Sequence, residues 1–368
     1  MQEQTGQKIK KITFILGGLV GGGAEKVAST LINELHSSGS EITLISRLEP
    51  EMDFFVIPAG VKRIVLGGEG ESTNKLTALF KNLLFIWKLR RAIKKADNPV
   101  VVSFLTKTNI HTLLATIGLG IRVIISERND TTRQNHPSPW PQLRRWLYKY
   151  SDLVTANSKN ALQGMKEYVP EDRLRYVPNP VCMANKKASP HKSRLILNVG
   201  RLVPQKAQHI LLEAFYKLDK SVRSDWRCEI LGDGEEKENL ELLIQKLQIA
   251  QETEVHGVVS YPSSYYEKAA IFILCSKYEG TPNALLEAMA HGLPVIVSNS
   301  LPGAMEYITS GENGYTFIAG DSDDLSLKIR ELIINPDLRK KMGEQAIGCV
   351  EHLSVDKVMR VWEKVLNP

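Results

Sequence analysis

The sequence predicts an α/β fold of two Rossmann-like, doubly wound domains facing a central cleft. Three observations lead there. At about 150 residues per domain, a chain of 368 residues is too long for one domain and suits two of about 180. Short β-branched apolar runs alternate with helical patterns, as parallel strands covered on both faces require. The alternation stops in a proline-bearing stretch and then restarts. ITFILGGLV from Ile12 leads into a helix, and LILNVGRLV from Leu195 leads into another. Hydrophobic content of 43% and charged content of 24% exclude long disorder, collagen-like repeats and coiled coil.

In chain order, the first half reads as a strand over 12–16, a glycine loop over 17–23, a helix over 24–36 ended near Gly39, and a strand over 41–46. A long basic helix over about 76–95, a strand over 100–104, a helix near 110–118 and strands over 122–126 and 153–156 follow. These make an N-terminal domain over 1–180. Pro178, Pro180 and Pro190 with Asn185-Lys-Lys187 break all periodicity, so 181–193 is predicted as a linker. A second domain over 194–350 carries a helix over 210–218 and strands over 227–231, 255–256, 271–274, 294–298 and 314–318. Residues 351–368 are expected to form a C-terminal helix packing back toward the first domain.

Lys8, Lys10 and Lys11 before an apolar run imitate a signal peptide, but the run reads equally as a buried first strand and a glycine turn. The longest apolar stretch, 112–121, is too short to span a bilayer. Cys182, Cys228, Cys275 and Cys349 show no metal-ligand or disulfide spacing, which points to a reducing compartment. Net charge is +6, unevenly placed: residues 1–180 hold 25 Lys/Arg against 16 Asp/Glu, while 181–368 hold 22 against 25.

The segment CSKYEGTPNALLEAMAHG from Cys275 carries the most chemistry. Thr281 as N-cap, Pro282 at the first position and Gly292 at the end predict a helix over 282–291. Its unpaired N–H groups around Asn283, just past a strand, suit a diphosphate. Glu279 in the preceding loop and Glu287 inside the helix are carboxylates, placed to accept hydrogen bonds from vicinal diols of a ribose and a sugar. Gly200-Arg-Leu-Val-Pro-Gln-Lys206, also past a strand, offers Arg201 and Lys206 as two cations to a diphosphate leaving group. A solvated basic loop is the alternative.

Taken together, Gly200-Arg201 with Lys206, Ile230-Leu-Gly-Asp-Gly234, the Glu279/Glu287 pair and the Gly21-Gly-Gly-Ala-Glu25 opening resemble the retaining glycosyltransferases of sequence family 4, which have the GT-B fold. The resemblance implies that Arg201 and Lys206 hold the donor diphosphate, Glu287 the ribose and Glu279 the transferred sugar. It places Gly280, Thr281, Pro282, Asn283 and Leu286 around sugar and phosphate, and Gly232 near the nucleotide. It implies a nucleotide-diphosphate sugar, UDP-linked, as donor, with no metal and no further cofactor. The first domain would take the acceptor.

Some positions depart from that pattern. Ala207 follows Lys206 where the family usually has Gly. Where many members carry a histidine after the strand at 100–104, this sequence offers Thr106, Lys107 and Asn109, with His111 next; His111 is either a site residue or an ordinary helix residue. Ser126-Glu-Arg-Asn-Asp130 resembles members that lengthen lipid-linked glycans, with Glu127 and Arg128 facing the cleft or forming a structural salt pair. Gly22 and Gly23 remove side chains where backbone must approach an acceptor or phosphate group, and the loop does not match G-x-G-x-x-G. Asp321-Ser-Asp323 begins a helix, where acids are ordinary, so no metal site is read there.

Lys75, Lys81, Lys88, Arg90, Arg91, Lys94 and Lys95 fall in an acid-free window among Leu83, Leu84, Phe85, Ile86, Trp87 and Leu89. Trp140 and Trp146 accompany Arg144, Arg145 and Lys149. Basic aromatic helices of this kind suit an anionic membrane surface, the alternative being a packed helix with a solvated face. Nothing resembles a nucleic-acid reading motif.

The sequence therefore predicts a metal-independent, retaining glycosyltransferase that moves a hexose or N-acetylhexosamine to a lipid-linked or cell-surface polysaccharide such as lipopolysaccharide or capsule. It would be cytoplasmic and peripheral to the inner membrane face, with a polyprenyl-diphosphate-linked glycan as acceptor. A sugar-nucleotide epimerase of the same fold and a non-catalytic nucleotide-sugar-binding protein are the alternatives.

Overall fold

The structure is a computed structural model that describes residues 11–67, 74–128, 137–185, 188–259 and 262–367. Lys8, Lys10, Asn129, Asp130, Lys186 and Lys187, all named above, lie outside these residues. The chain divides into two compact units, Met1–Pro180 with Asp356–Pro368, and Val181–Val355.

In the first unit, β1 (Lys11–Leu16), β2 (Glu41–Ser46), β3 (Lys62–Val65), β4 (Val100–Phe104), β5 (Arg122–Glu127), β6 (Leu153–Ala156) and β7 (Leu174–Tyr176) form one parallel sheet in the order β3-β2-β1-β4-β5-β6-β7. Every residue of β4 is buried, and β1 is buried beyond Lys11, because helices cover both faces. The order reverses between β1 and β4, where the carboxyl ends of an open parallel sheet leave a crevice. β3 and β7 escaped the apolar-run reading. They are edge strands, and KRIV and LRY carry the charges that edges tolerate.

The helix expected near 110–118 is Thr106–Thr116. Leu105, at φ 71°, turns the chain straight from β4 into the helix. Thr106 and Asn109 point inward onto a polar partner, so the first turn lacks the apolar period that marks a helix. The C-terminal helix Val355–Leu366 contributes fully buried Trp362, whose ring lies 6.2 Å from Phe104. The Arg122 guanidinium donates to the Val365 and Leu366 carbonyls at 3.0 Å each, satisfying acceptors at the helix end.

In the second unit, β8 (Leu195–Val199), β9 (Arg227–Leu231), β10 (Thr253–His256), β11 (Ile271–Leu274), β12 (Val295–Ser298) and β13 (Gly314–Phe317) pair in parallel in the order β10-β9-β8-β11-β12-β13. Alternate residues feed two cores. Ile196, Ile230 and Ile273 pack on one face, and Leu197, Leu231, Phe272 and Leu274 on the other. Residues 181–193, expected as a linker, lie against this unit. Val181 N–H donates to Leu353 O (2.8 Å), Ala188 N–H to His291 O (2.8 Å), and Arg339 Nε–H to Pro190 O (2.7 Å). Periodicity cannot detect such a segment, because backbone groups hold it and not an apolar stripe.

Candidate active site

Four loops at the carboxyl ends of β8, β9, β11 and β12 build the candidate site in the second unit. Lys206 Nζ lies 2.6 Å from Glu279 Oε1, and Ser276 Oγ donates to the same oxygen at 2.6 Å. The loops are tied further by Gln205, whose Nε2 donates to Tyr278 O (2.6 Å) and whose carbonyl accepts from Lys277 N–H (2.8 Å). Arg201 is exposed at the rim, its carbonyl accepting from Gln208 Nε2 at 3.0 Å. At Gly232, φ is 150° and any Cβ would overlap the Gly200 carbonyl oxygen, so the β8 and β9 loops touch backbone to backbone. Gly303 meets the Gly280 carbonyl in the same way.

Ala207, the N-cap residue of the helix Gln208–Tyr216, adopts φ 50°. Glycine takes this conformation freely, whereas alanine pays about 1 kcal/mol for it. The departure from the family pattern therefore falls where the backbone is left-handed.

The helix expected over 282–291 is Asn283–Ala290, with Pro282 at the N-cap position and no side-chain cap. Thr281, expected at the N-cap, is buried one position before it, and the Pro282 carbonyl accepts from Leu285 and Leu286 N–H (3.2 and 3.3 Å). Leu286, grouped with the donor residues from the sequence, is fully buried in the core with Leu285 and Met289, so its side chain serves packing. Glu287 is half-buried. It faces Tyr266, whose phenol is pushed well above its ordinary pKa by burial and then by the Glu287 carboxylate. Asp321 caps the helix Ser322–Ile334, Oδ1 accepting from Asp323 and Asp324 N–H at 2.9 and 3.0 Å.

The candidate acceptor residues of the first unit separate into a buried network and an outer layer. Glu127 is completely buried at the end of β5, and its Oε1 accepts from Tyr148 Oη, Thr106 Oγ1 (2.9 Å) and Asn109 Nδ2 (3.3 Å). Burial raises its pKa, against those hydrogen bonds and the Arg144 charge. Asn109 also accepts from Ser103 Oγ at 2.8 Å. Arg128 forms no salt pair with Glu127. Its Nη1 reaches Val177 O (2.9 Å) and Asn179 Oδ1 (3.0 Å), and its guanidinium lies 5.4 Å from the Trp362 ring and 5.8 Å from Phe104. Burial lowers its pKa to about 9. Lys107 is exposed, its Nζ 5.6 Å from the Trp140 ring. Gly22 caps the helix Gly23–Ser37 with its backbone, and the Glu25 carboxylate fills the space a Gly22 Cβ would need.

His111 belongs to the packing. Its Nε2 lies 3.2 Å from Asn82 Oδ1, and its ring contacts Phe85 (5.1 Å) and Trp140 (5.3 Å). Burial, then Arg47 and Lys107, lower its pKa from 6.5 to about 4. The unfolded chain takes up this proton near pH 6.5 while the folded chain resists it until about pH 4. Stability is therefore lost as pH falls through that window, by about 3 kcal/mol for this group. His111→Gln is expected to flatten the decline of the melting temperature between pH 6.5 and 4; an unchanged slope would place the acid sensitivity elsewhere.

Residues 21–184 match the family model described as Glycosyltransferase Family 4, and residues 183–348 match the model Glycosyl transferases group 1. A Campylobacter jejuni protein named GalNAc-alpha-(1->4)-GalNAc-alpha-(1->3)-diNAcBac-PP-undecaprenol alpha-1,4-N-acetyl-D-galactosaminyltransferase is 29% identical over 363 residues, covering 97% of this chain and 98% of that protein. The chain is a glycosyltransferase of the GT-B fold. An Erwinia amylovora protein, amylovoran biosynthesis glycosyltransferase AmsD, is 24% identical over 369 residues, covering 97% of this chain and 99% of that protein. Among solved structures, Anabaena Alr3699/HepE in complex with UDP shares the fold at TM-score 0.80 and 16% identity, covering 96% of this chain and 99% of that one.

In this glycosyltransferase the group 1 match contains all ten donor-side candidates, from Arg201 to Glu287. Sequence reasoning passed over Gln205, Ser276, Tyr266 and Gly303. Gln205, directly beside Lys206, and Ser276, three residues before Glu279 and just past β11, carried a usable signal as polar residues close to charged candidates after a strand. Tyr266 and Gly303 carried none, since their neighbours come from distant positions in the chain.

Proposed function

We propose that this glycosyltransferase transfers a hexose or N-acetylhexosamine, with retention and without a metal ion, from a UDP-linked sugar to a polyprenyl-diphosphate-linked or surface glycan. The observation that carries the reading is the meeting of Lys206 and Glu279 at the strand ends of one parallel sheet, a cation for a diphosphate beside a carboxylate for sugar hydroxyls. The undecaprenol-linked acceptor in the Campylobacter relative's name and the UDP in the Anabaena structure support the acceptor and donor classes. In the reaction, the bond from the anomeric carbon to the diphosphate breaks and the acceptor oxygen bonds to the same face. The acceptor proton passes to the leaving diphosphate. Lys206 and Arg201 stabilise the charge that collects there, so the work falls on positioning and electrostatics.

A membrane surface fits the first unit. On the helix Lys75–Ala96, Leu79, Phe80, Leu83, Leu84 and Trp87 are 42–69% exposed, and their spacing puts them on one face. Leu89, Ala92 and Ile93 face the core. Arg90 is engaged inside the unit, donating to the Ala115 and Ile117 carbonyls (2.8 and 2.7 Å), so it is not among the lipid-facing cations. Bulky apolar exposure on an acid-free basic helix suits insertion into an anionic interface, on the cytoplasmic leaflet where such lipids concentrate. Leu83→Glu with Trp87→Glu is expected to release the protein from phosphatidylglycerol vesicles in co-sedimentation; undiminished pelleting would refute the docking face. Among the described residues no helix is long and apolar enough to cross a membrane.

The central test incubates the protein with a panel of nucleotide sugars and a lipid-linked glycan extract, with and without EDTA. Release of nucleoside diphosphate that depends on the acceptor, persists in EDTA and yields an α-linked product is the expected result. A β-linked product would overturn retention, and loss of activity in EDTA would overturn metal independence.

A further inference from the structure

Glu279 accepts two donors through one oxygen. The Lys206 ammonium and the Ser276 hydroxyl both stand 2.6 Å from Oε1, and the side chains of the ion pair are only 15% and 11% exposed. Solvent screening of the pair is therefore weak compared with a surface bridge. The ammonium is also confined. The Lys206 stem crosses Gly200, its Cδ and Cε 3.6 Å from where a Cβ would stand, and Gln205 clamps the two loops together on the other side. A diphosphate reaching for Lys206 thus meets a carboxylate that already holds it.

We propose that Glu279 competes with the diphosphate for Lys206, and that this competition lets the site distinguish a nucleotide sugar from the nucleoside diphosphate left after transfer. When a sugar is present, its hydroxyls donate to Glu279 and Lys206 turns to the diphosphate. Once the sugar has been transferred, Glu279 loses those donors and draws Lys206 back, which weakens the hold on the product and speeds its release. Ser276 acts as a positioning residue, because its hydroxyl fixes the carboxylate oxygen that Lys206 shares. The inference rests on the donor reading above and adds to it a coupling between sugar occupancy and diphosphate affinity.

The test is a double-mutant cycle on the full chain. UDP, ADP and GDP are titrated calorimetrically into the wild type, Glu279→Gln, Lys206→Ala and the double variant, and product inhibition of transfer is measured in parallel. Glu279→Gln is expected to tighten the preferred nucleoside diphosphate on the order of tenfold, to lower its inhibition constant in step, and to slow transfer. In the Lys206→Ala background the gain should shrink to less than about twofold, since the freed ammonium is its source. A purely structural Glu279 would instead weaken or leave unchanged the binding of the diphosphate. That result, or an equal gain without Lys206, overturns the competition while leaving the donor reading intact. A wild type that binds none of the three diphosphates and transfers no sugar overturns both. Glu279→Ala, with the same expected direction, serves if melting shows the glutamine variant misfolded.

Discussion

Lys206→Ala is expected to lower kcat for sugar transfer about 10²–10³-fold, the usual loss when one preorganised group is removed from a developing charge. Among the described residues the ammonium is bonded to Glu279 alone, in the loop that follows β8 and not in either core. Glu287→Ala should act differently. Glu279 sits in the loop before the helix Asn283–Ala290 and pairs with Lys206, whereas Glu287 lies inside that helix and faces Tyr266. Its loss should appear mainly in KM, as the interaction proposed for it is with a ribose that does not react. Steady-state kinetics with circular dichroism as a folding control decide the matter, and near-normal rates in both variants would remove these residues from the mechanism.

The second large effect is expected at Gly232. Its φ of 150° is hostile to any side chain, and a Cβ there would overlap the backbone carbonyl of Gly200. Backbone, unlike a flexible side chain, cannot step aside cheaply, so Gly232→Ala must push the β8 and β9 loops apart. The expected cost is about 2–4 kcal/mol. The same shift would carry Lys206 away from Glu279, since Lys206 leans on Gly200. Chemical denaturation and nucleotide titration on one variant should therefore report lost stability and lost binding together. A stable Gly232→Ala protein with unaltered nucleotide affinity would show that the loop contact does not shape the site.

The residues of the candidate site were legible in the sequence for a definite reason. Glu279, Glu287 and the intervening residues fall in one short segment, and Arg201 and Lys206 in another, so spacing along the chain stood in for spacing in space. Central strands such as VVVSF at Val100 were equally legible, because burial on both faces forces continuous apolar runs. The misreadings share the opposite cause. Edge strands β3 and β7 carry charge. The first turn of Thr106–Thr116 turns polar side chains inward to Glu127. Of the two readings the sequence left open for His111, its contacts with Asn82, Phe85 and Trp140 favour the helix-packing one. Leu286 shares a helix with Glu287 but points into the core.

What the sequence by itself determined is the class of architecture and the set of charged groups available to a diphosphate and a sugar, since apolar period and local motifs are properties of neighbouring residues. Only the tertiary structure decided which of those groups meet. Lys206 and Glu279 are 73 positions apart and become partners through Ser276, Gln205 and two glycines that let backbones touch. Glu127 and Arg128 are adjacent in sequence, yet one is drawn into a buried network and the other onto Trp362 near the chain's end. Strand neighbours project to opposite faces of a sheet, so adjacency along the chain sends side chains apart, and only packing brings distant ones together.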